Sequence, residues 1–95
     1  MAFHSEMTSC EQKRRFLRNG KKLLDWVVVE VSQISVEDDR EIRCMHCRGR
    51  VRIHRRHVAH GPRDHVEHRR RKDSEACRGG CYFKGVHRIS SEPVA

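Results

Sequence analysis

The chain has 95 residues, of which 36% are apolar and 36% charged, with a formal net charge of +8. A chain this short buries only roughly 60–65% of the surface its unfolded form exposes. One Trp, one Tyr and three Phe are too few to line a deep apolar pocket, which excludes a large enzyme and leaves no small-molecule substrate to expect.

The charge is unevenly placed. Residues 1–39 hold six Lys/Arg against seven Asp/Glu, and residues 40–95 hold fifteen against six. Sixteen of the 21 basic residues are Arg, and seven of the eight His lie in the second part. The planar Arg fork matches phosphate bidentately. The shift divides the chain into a disordered start (1–8), a packing or interaction segment (9–39), a basic module (40–89) and a tail (90–95).

In chain order, residues 9–19 (SCEQKRRFLRN) read as a helix, with Ser9 and Gln12 as a capping box and Gly20 as the glycine beyond its end. Residues 26–36 read as a strand, because the β-branched run VVVEV favours one, although 21–36 also fits a buried helix. Residues 41–43 and 50–54 read as two short strands flanking the turn CMHCRG, with Gly49 supplying a positive φ. In the second strand Val51 and Ile53 face one side and Arg50, Arg52 and His54 the other. Residues 64–72 read as helix or strand, and Gly79-Gly80 as a turn. The longest apolar run, around Val27 to Val29, falls far short of the ~20 residues of a membrane span. The start MAFHSEMTSC lacks a signal pattern.

Small domains with thin cores commonly carry a staple. Five Cys, an odd number, without a signal segment argue for a reducing compartment, the cytoplasm, and against a disulfide framework. Cys44-x-x-Cys47 brings two thiolates to one ion from a tight turn. Zinc takes four ligands in a tetrahedron. The remaining two are His65 with His68, or His68 with Cys77. The second set is preferred because a third thiolate suits structural zinc. Glu67 is placed to orient an imidazole. Cys10 reads as a free thiol and Cys81 as a weaker fifth candidate. His4, His46, His54, His57, His60 and His87 read as solvent-facing or loop residues. A closed four-ligand site leaves no position for water, so one structural Zn2+ and no catalytic residue are expected. The fold class is then small α+β: a zinc-ribbon-like β-hairpin module stapled by one metal, with an N-terminal helix and strand.

The order CMHC, GRVRIH, HVEH resembles the zinc-binding part of CoiA-like competence proteins over about residues 43–68. Val66 stands where that family has an aromatic and Glu67 where it has a small residue. The resemblance implies a zinc module associated with DNA handling and without the family's nuclease domain. The CxxC…HxEH…C arrangement also resembles that of small bacterial proteins to which no function attaches. Asp64-His65 is similar to the dipeptide of HNH nucleases. The only Asn, Asn19, lies upstream, and Cys77 and Cys81 have the wrong spacing for that family.

These residues point to a nucleic-acid-binding zinc protein, DNA being preferred. Arg48, Arg50, Arg52, Arg55, Arg56, Arg69, Arg70, Arg71 and Lys72 are the expected phosphate contacts. The alternative is a protein-interaction module that regulates or inhibits a larger nucleic-acid-handling assembly, using the apolar stretch 23–36. A degenerate HNH nuclease ranks third.

Overall fold

A computed structural model describes residues 7–56, 59, 61 and 63–95. The expectations for residues 1–6, His57 and His60 lie outside the described residues.

The first element is a strand, β1 (Ser9–Arg18), where the sequence reading expects a helix. It pairs antiparallel with β2 (Lys21–Glu30) along its whole length, from Ser9 opposite Glu30 to Arg18 opposite Lys21. The turn explains the correction. Asn19 (φ 51°) and Gly20 (φ 76°) both take positive φ, as an Asn-Gly hairpin turn of the primed type requires. Gly20 therefore closes a hairpin and caps no helix. Ten ladder positions against a β-branched partner outweigh the helix propensity of Gln12–Arg15. β2 starts five residues earlier than expected and gives way at Val31–Gln33 to a 3-10 turn, with Val31 buried.

β3 (Ile42–Arg43) adds to the other edge of β1, giving the order β2-β1-β3. Its placement is fixed by charge and stacking. Arg43 Nε donates to Glu11 Oε1 at 2.9 Å, and its guanidinium lies 4.1 Å from the Trp26 ring centre. β4 (Val51–His54) and β5 (His65–His68) form a second, two-stranded antiparallel sheet. The hairpin expected between the strands flanking CMHCRG is therefore absent. β3 and β4 belong to different sheets, and the Cys turn is the crossing between them. One short helix, α1 (Arg71–Ala76), follows. The described residues thus form a mostly-β fold of two antiparallel sheets and one short helix.

The core lies where the sheets meet. Met7, Cys10, Val29, Val31, Ile34, Cys44, Cys47, Val51, Val66 and Cys77 are buried in one cluster. Met7 bridges to Val66, whose N–H donates to the Met7 carbonyl at 2.8 Å, so Met7, inside the span expected to be disordered, is tied to β5. The far end is likewise tied down: Ser90 N–H donates to the Cys47 carbonyl and Val94 N–H to the Arg48 carbonyl, both at 2.8 Å. The distal ribbon of β1 and β2 projects away, with residues 15–25 exposed.

Candidate metal centre

The Cys turn is built by its own backbone. Cys44 N–H donates to the Gly49 carbonyl and Arg48 N–H to the Cys44 carbonyl, each at 2.9 Å. Arg48, not Gly49, takes the positive φ, at 63°. Gly49 is needed for space: a Cβ there would lie 2.6 Å from Asp73 Oδ2 and 3.2 Å from Cys47 Sγ. His46 N–H points at Cys44 Sγ (3.3 Å) and Gly49 N–H at Cys47 Sγ (3.4 Å). The turn after α1 repeats the device, with Gly79 N–H 3.4 Å from Cys77 Sγ. Each sulfur thus receives the amide two residues on, which stabilises negative charge on it.

Cys44, Cys47, His68 and Cys77 converge, their donor atoms all within 4.8 Å of one another. Cys44 Sγ lies 3.6 Å from Cys77 Sγ, and Cys47 Sγ 3.3 Å from His68 Nε2. A zinc tetrahedron has edges of roughly 3.8 Å between sulfurs and roughly 3.6 Å between sulfur and nitrogen, so the donors stand close to the required spacing. The three cysteines are fully buried. The four groups are near enough to hold one metal ion.

Without a metal, Cys44, Cys47 and His68 share protons unevenly. Hydrogen bonds with Cys47, then Cys77, pull the Cys44 thiol down, whereas hydrogen bonds with Cys44 and Cys77, together with burial, push Cys47 up. Burial opposes the charge on His68, but the contacts with Cys44 and Cys77 prevail and raise it to about 9. In the metal-free site a Cys44 thiolate thus stands beside a protonated His68. A closed set of four protein donors has the character of a structural site rather than a catalytic one.

His65, the alternative ligand, is not in this cluster. His65 and His68 are three apart on a strand, so they point to opposite faces; the pairing would have needed a helix. Glu67 accordingly touches His65 and His54 and not His68. His54 belongs to that second group rather than standing alone in solvent. His46 is half-buried, and its Nδ1 accepts from Arg78 Nε at 3.2 Å. His87 is exposed and accepts from Arg78 N–H. Cys10 is buried, Cys81 is exposed, and none of the five cysteines forms a disulfide.

Of the expected phosphate contacts, Arg48, Arg50, Arg52, Arg56, Arg69, Arg71 and Lys72 are exposed. Arg55 pairs with Asp64 (3.4 Å), Arg70 with Glu92 (3.1 Å) and Arg71 with Glu75 (3.4 Å). The ribbon is a basic feature that the sequence reading missed. Residues 13–25 hold six Lys/Arg against one Asp, a local excess hidden when charge is summed over 1–39. The Asn19-Gly20 signal would have exposed it by folding those cations onto one arm. Among the described residues, no helix is long and apolar enough to cross a membrane.

A model of a protein family without an assigned function matches residues 2–95. No curated protein and no solved structure matches the chain.

Proposed function

The chain belongs to that uncharacterised family, and from its own residues we propose that it is a zinc-stapled protein that binds nucleic acid, preferentially duplex DNA, through phosphate contacts. Zinc is favoured by a buried donor set of three thiolates and one imidazole. The resemblance of residues 43–68 to the zinc-binding part of CoiA-like proteins points the same way.

One observation carries the nucleic-acid reading. Two open grooves adjoin and share Arg40 and Glu41. The larger, about 860 Å³, is lined by Lys13, Arg14 and Arg15 of the ribbon. The smaller, about 300 Å³, is lined by Arg50 and Arg69 of the second sheet. Basic side chains, interrupted by Asp39 and Glu41, therefore line a path from the arm to the metal-bearing body, and Arg18, Lys21 and Lys22 stand at the arm's tip. A two-stranded ribbon fits the major groove of B-DNA. Arg-rich contacts of this kind position a protein on the backbone without reading sequence.

Titration of random duplex DNA and RNA across salt concentrations tests the proposal. Six phosphate contacts give a log–log slope of about −5 for duplex DNA. Lys21→Glu with Lys22→Glu should shrink that slope by about 2. Affinity indifferent to salt overturns the reading.

A second reading rests on the same arm. Phe16 (43%), Leu17 (74%), Leu23 (44%) and Leu24 (61%) are all exposed, and apolar surface of this kind suits a protein partner. It supports a module that regulates or inhibits a nucleic-acid-handling assembly. Loss of binding on Leu17→Ser and Leu24→Ser, with DNA affinity unchanged, would distinguish it.

A further inference from the structure

The other face of the second sheet carries a cluster that the four-donor site does not use. His54 and His65 stand opposite each other across β4 and β5. Their rings stack, with centroids 5.2 Å apart and 11° between planes. Glu67, two residues beyond His65 and so on the same face, brings one oxygen to both rings. Glu67 Oε2 lies 3.1 Å from His54 Nε2 and 3.2 Å from His65 Nε2.

His65 Nδ1 lies 2.6 Å from the Arg63 carbonyl oxygen. A carbonyl only accepts, so Nδ1 carries the hydrogen, and in the neutral ring Nε2 is left with a lone pair. That lone pair meets a carboxylate oxygen, which also only accepts. Two acceptors at this separation repel unless a cation lies between them. A proton on His65 meets the need, with His54 donating its own Nε2–H to the same oxygen, and a metal ion held by both rings and the carboxylate meets it equally. An imidazole whose other nitrogen is anchored on a backbone carbonyl is also the form in which metal-binding histidines are generally held.

We propose that His54 Nε2, His65 Nε2 and one Glu67 oxygen form a second metal site, which takes a borderline divalent cation such as Zn2+. The nitrogen–oxygen separations approach the roughly 3.4 Å edge of a zinc tetrahedron with these donors. Three protein donors leave a position for water or an outside ligand. The site is half-exposed, with His54 and Glu67 side chains 40% and 39% accessible. Arg52 stands opposite Glu67 in the ladder, which puts its cation on the same face as the carboxylate. The site is therefore the weaker and more readily exchanged of the two.

Metal content after dialysis against Zn2+, and titration with Co2+, test the proposal. The wild-type chain should take up two equivalents. The first Co2+ should bring thiolate-to-metal absorption in the near ultraviolet, and the second only visible ligand-field bands. His54→Ala with Glu67→Ala should lower the stoichiometry by one equivalent while the thiolate band persists, which also shows that the variant folds. His54→Asn alone, a milder exposed change, should lower it equally. A wild-type stoichiometry no greater than that of either variant overturns the proposal. The readout is the difference between proteins, so it stands whether or not the four-donor site holds zinc. A missing thiolate band would indict that site and leave the second one assayed.

Discussion

At the scale of the residue, Cys44, Cys47, His68 and Cys77 should behave as one unit. A structural zinc contributes about 10 kcal/mol or more to folding of small zinc modules, as much as the whole stability of a typical domain. Cys44→Ser or Cys77→Ser should therefore abolish metal binding and leave the chain unfolded at room temperature by circular dichroism, whereas His65→Ala should keep the thiolate-bound metal. Cys10 is a different case. Burial, then the charge of Cys44 and that of Glu11, push its thiol up from the ordinary value to about 11. The folded chain keeps a proton there that the unfolded chain releases above about pH 9. Its contribution to stability is thus complete below pH 9 and declines as pH rises through 11. Iodoacetamide at pH 8 should label Cys81 within minutes and spare Cys10 until denaturant is added; mass spectrometry of tryptic peptides reads the outcome.

At the scale of the element, the ribbon is held by its turn and its root. Gly20 has no neighbour within 4 Å of a built Cβ, but its φ is +76°, so Gly20→Val meets backbone strain and no clash. The cost of about 1–2 kcal/mol should fall on the projecting arm. Amide exchange over residues 14–25 should quicken while the melting temperature of the body barely moves. This arm marks the limit of what the sequence disclosed. The donor set was legible, because thiols and imidazoles advertise metal chemistry by residue type alone. The choice between His65 and Cys77 was harder, since it turns on whether 65–68 is helix or strand, and four residues of HVEH satisfy both. The helix assigned to 9–19 failed because Cys10 and Gln12, the buried positions, are two apart, while Phe16 and Leu17, which suggested a stripe, are exposed. The parting of β3 from β4 was not legible at all: β3 pairs through two residues, too few to leave a periodic trace.

At the scale of the whole molecule, the Cys/His cluster joins pieces that the sheets leave separate. Its donors come from the crossing between sheets, the end of β5 and the end of α1. Among the described residues, the core cluster around them has ten members, four of them cysteines. Removal of the ion should therefore not loosen one corner. It should unfold the body in a single cooperative step, seen as simultaneous loss of the Trp26 environment in fluorescence and of the β signal in circular dichroism. Readdition of Zn2+ should restore both. A chain that keeps its spectra and melting curve in strong chelator would contradict this.

The projecting arm also governs how the protein drifts through solvent. The molecule measures 51 × 34 × 17 Å with a radius of gyration of 14.4 Å, against roughly 12.4 Å for a compact chain of this length. Its friction is that of a heavier sphere, so on a sizing column it will run ahead of compact standards of 11.2 kDa. An elution volume between those of a compact monomer and a compact dimer is what a single copy should give, and light scattering, which weighs instead of sizing, is the way to count subunits.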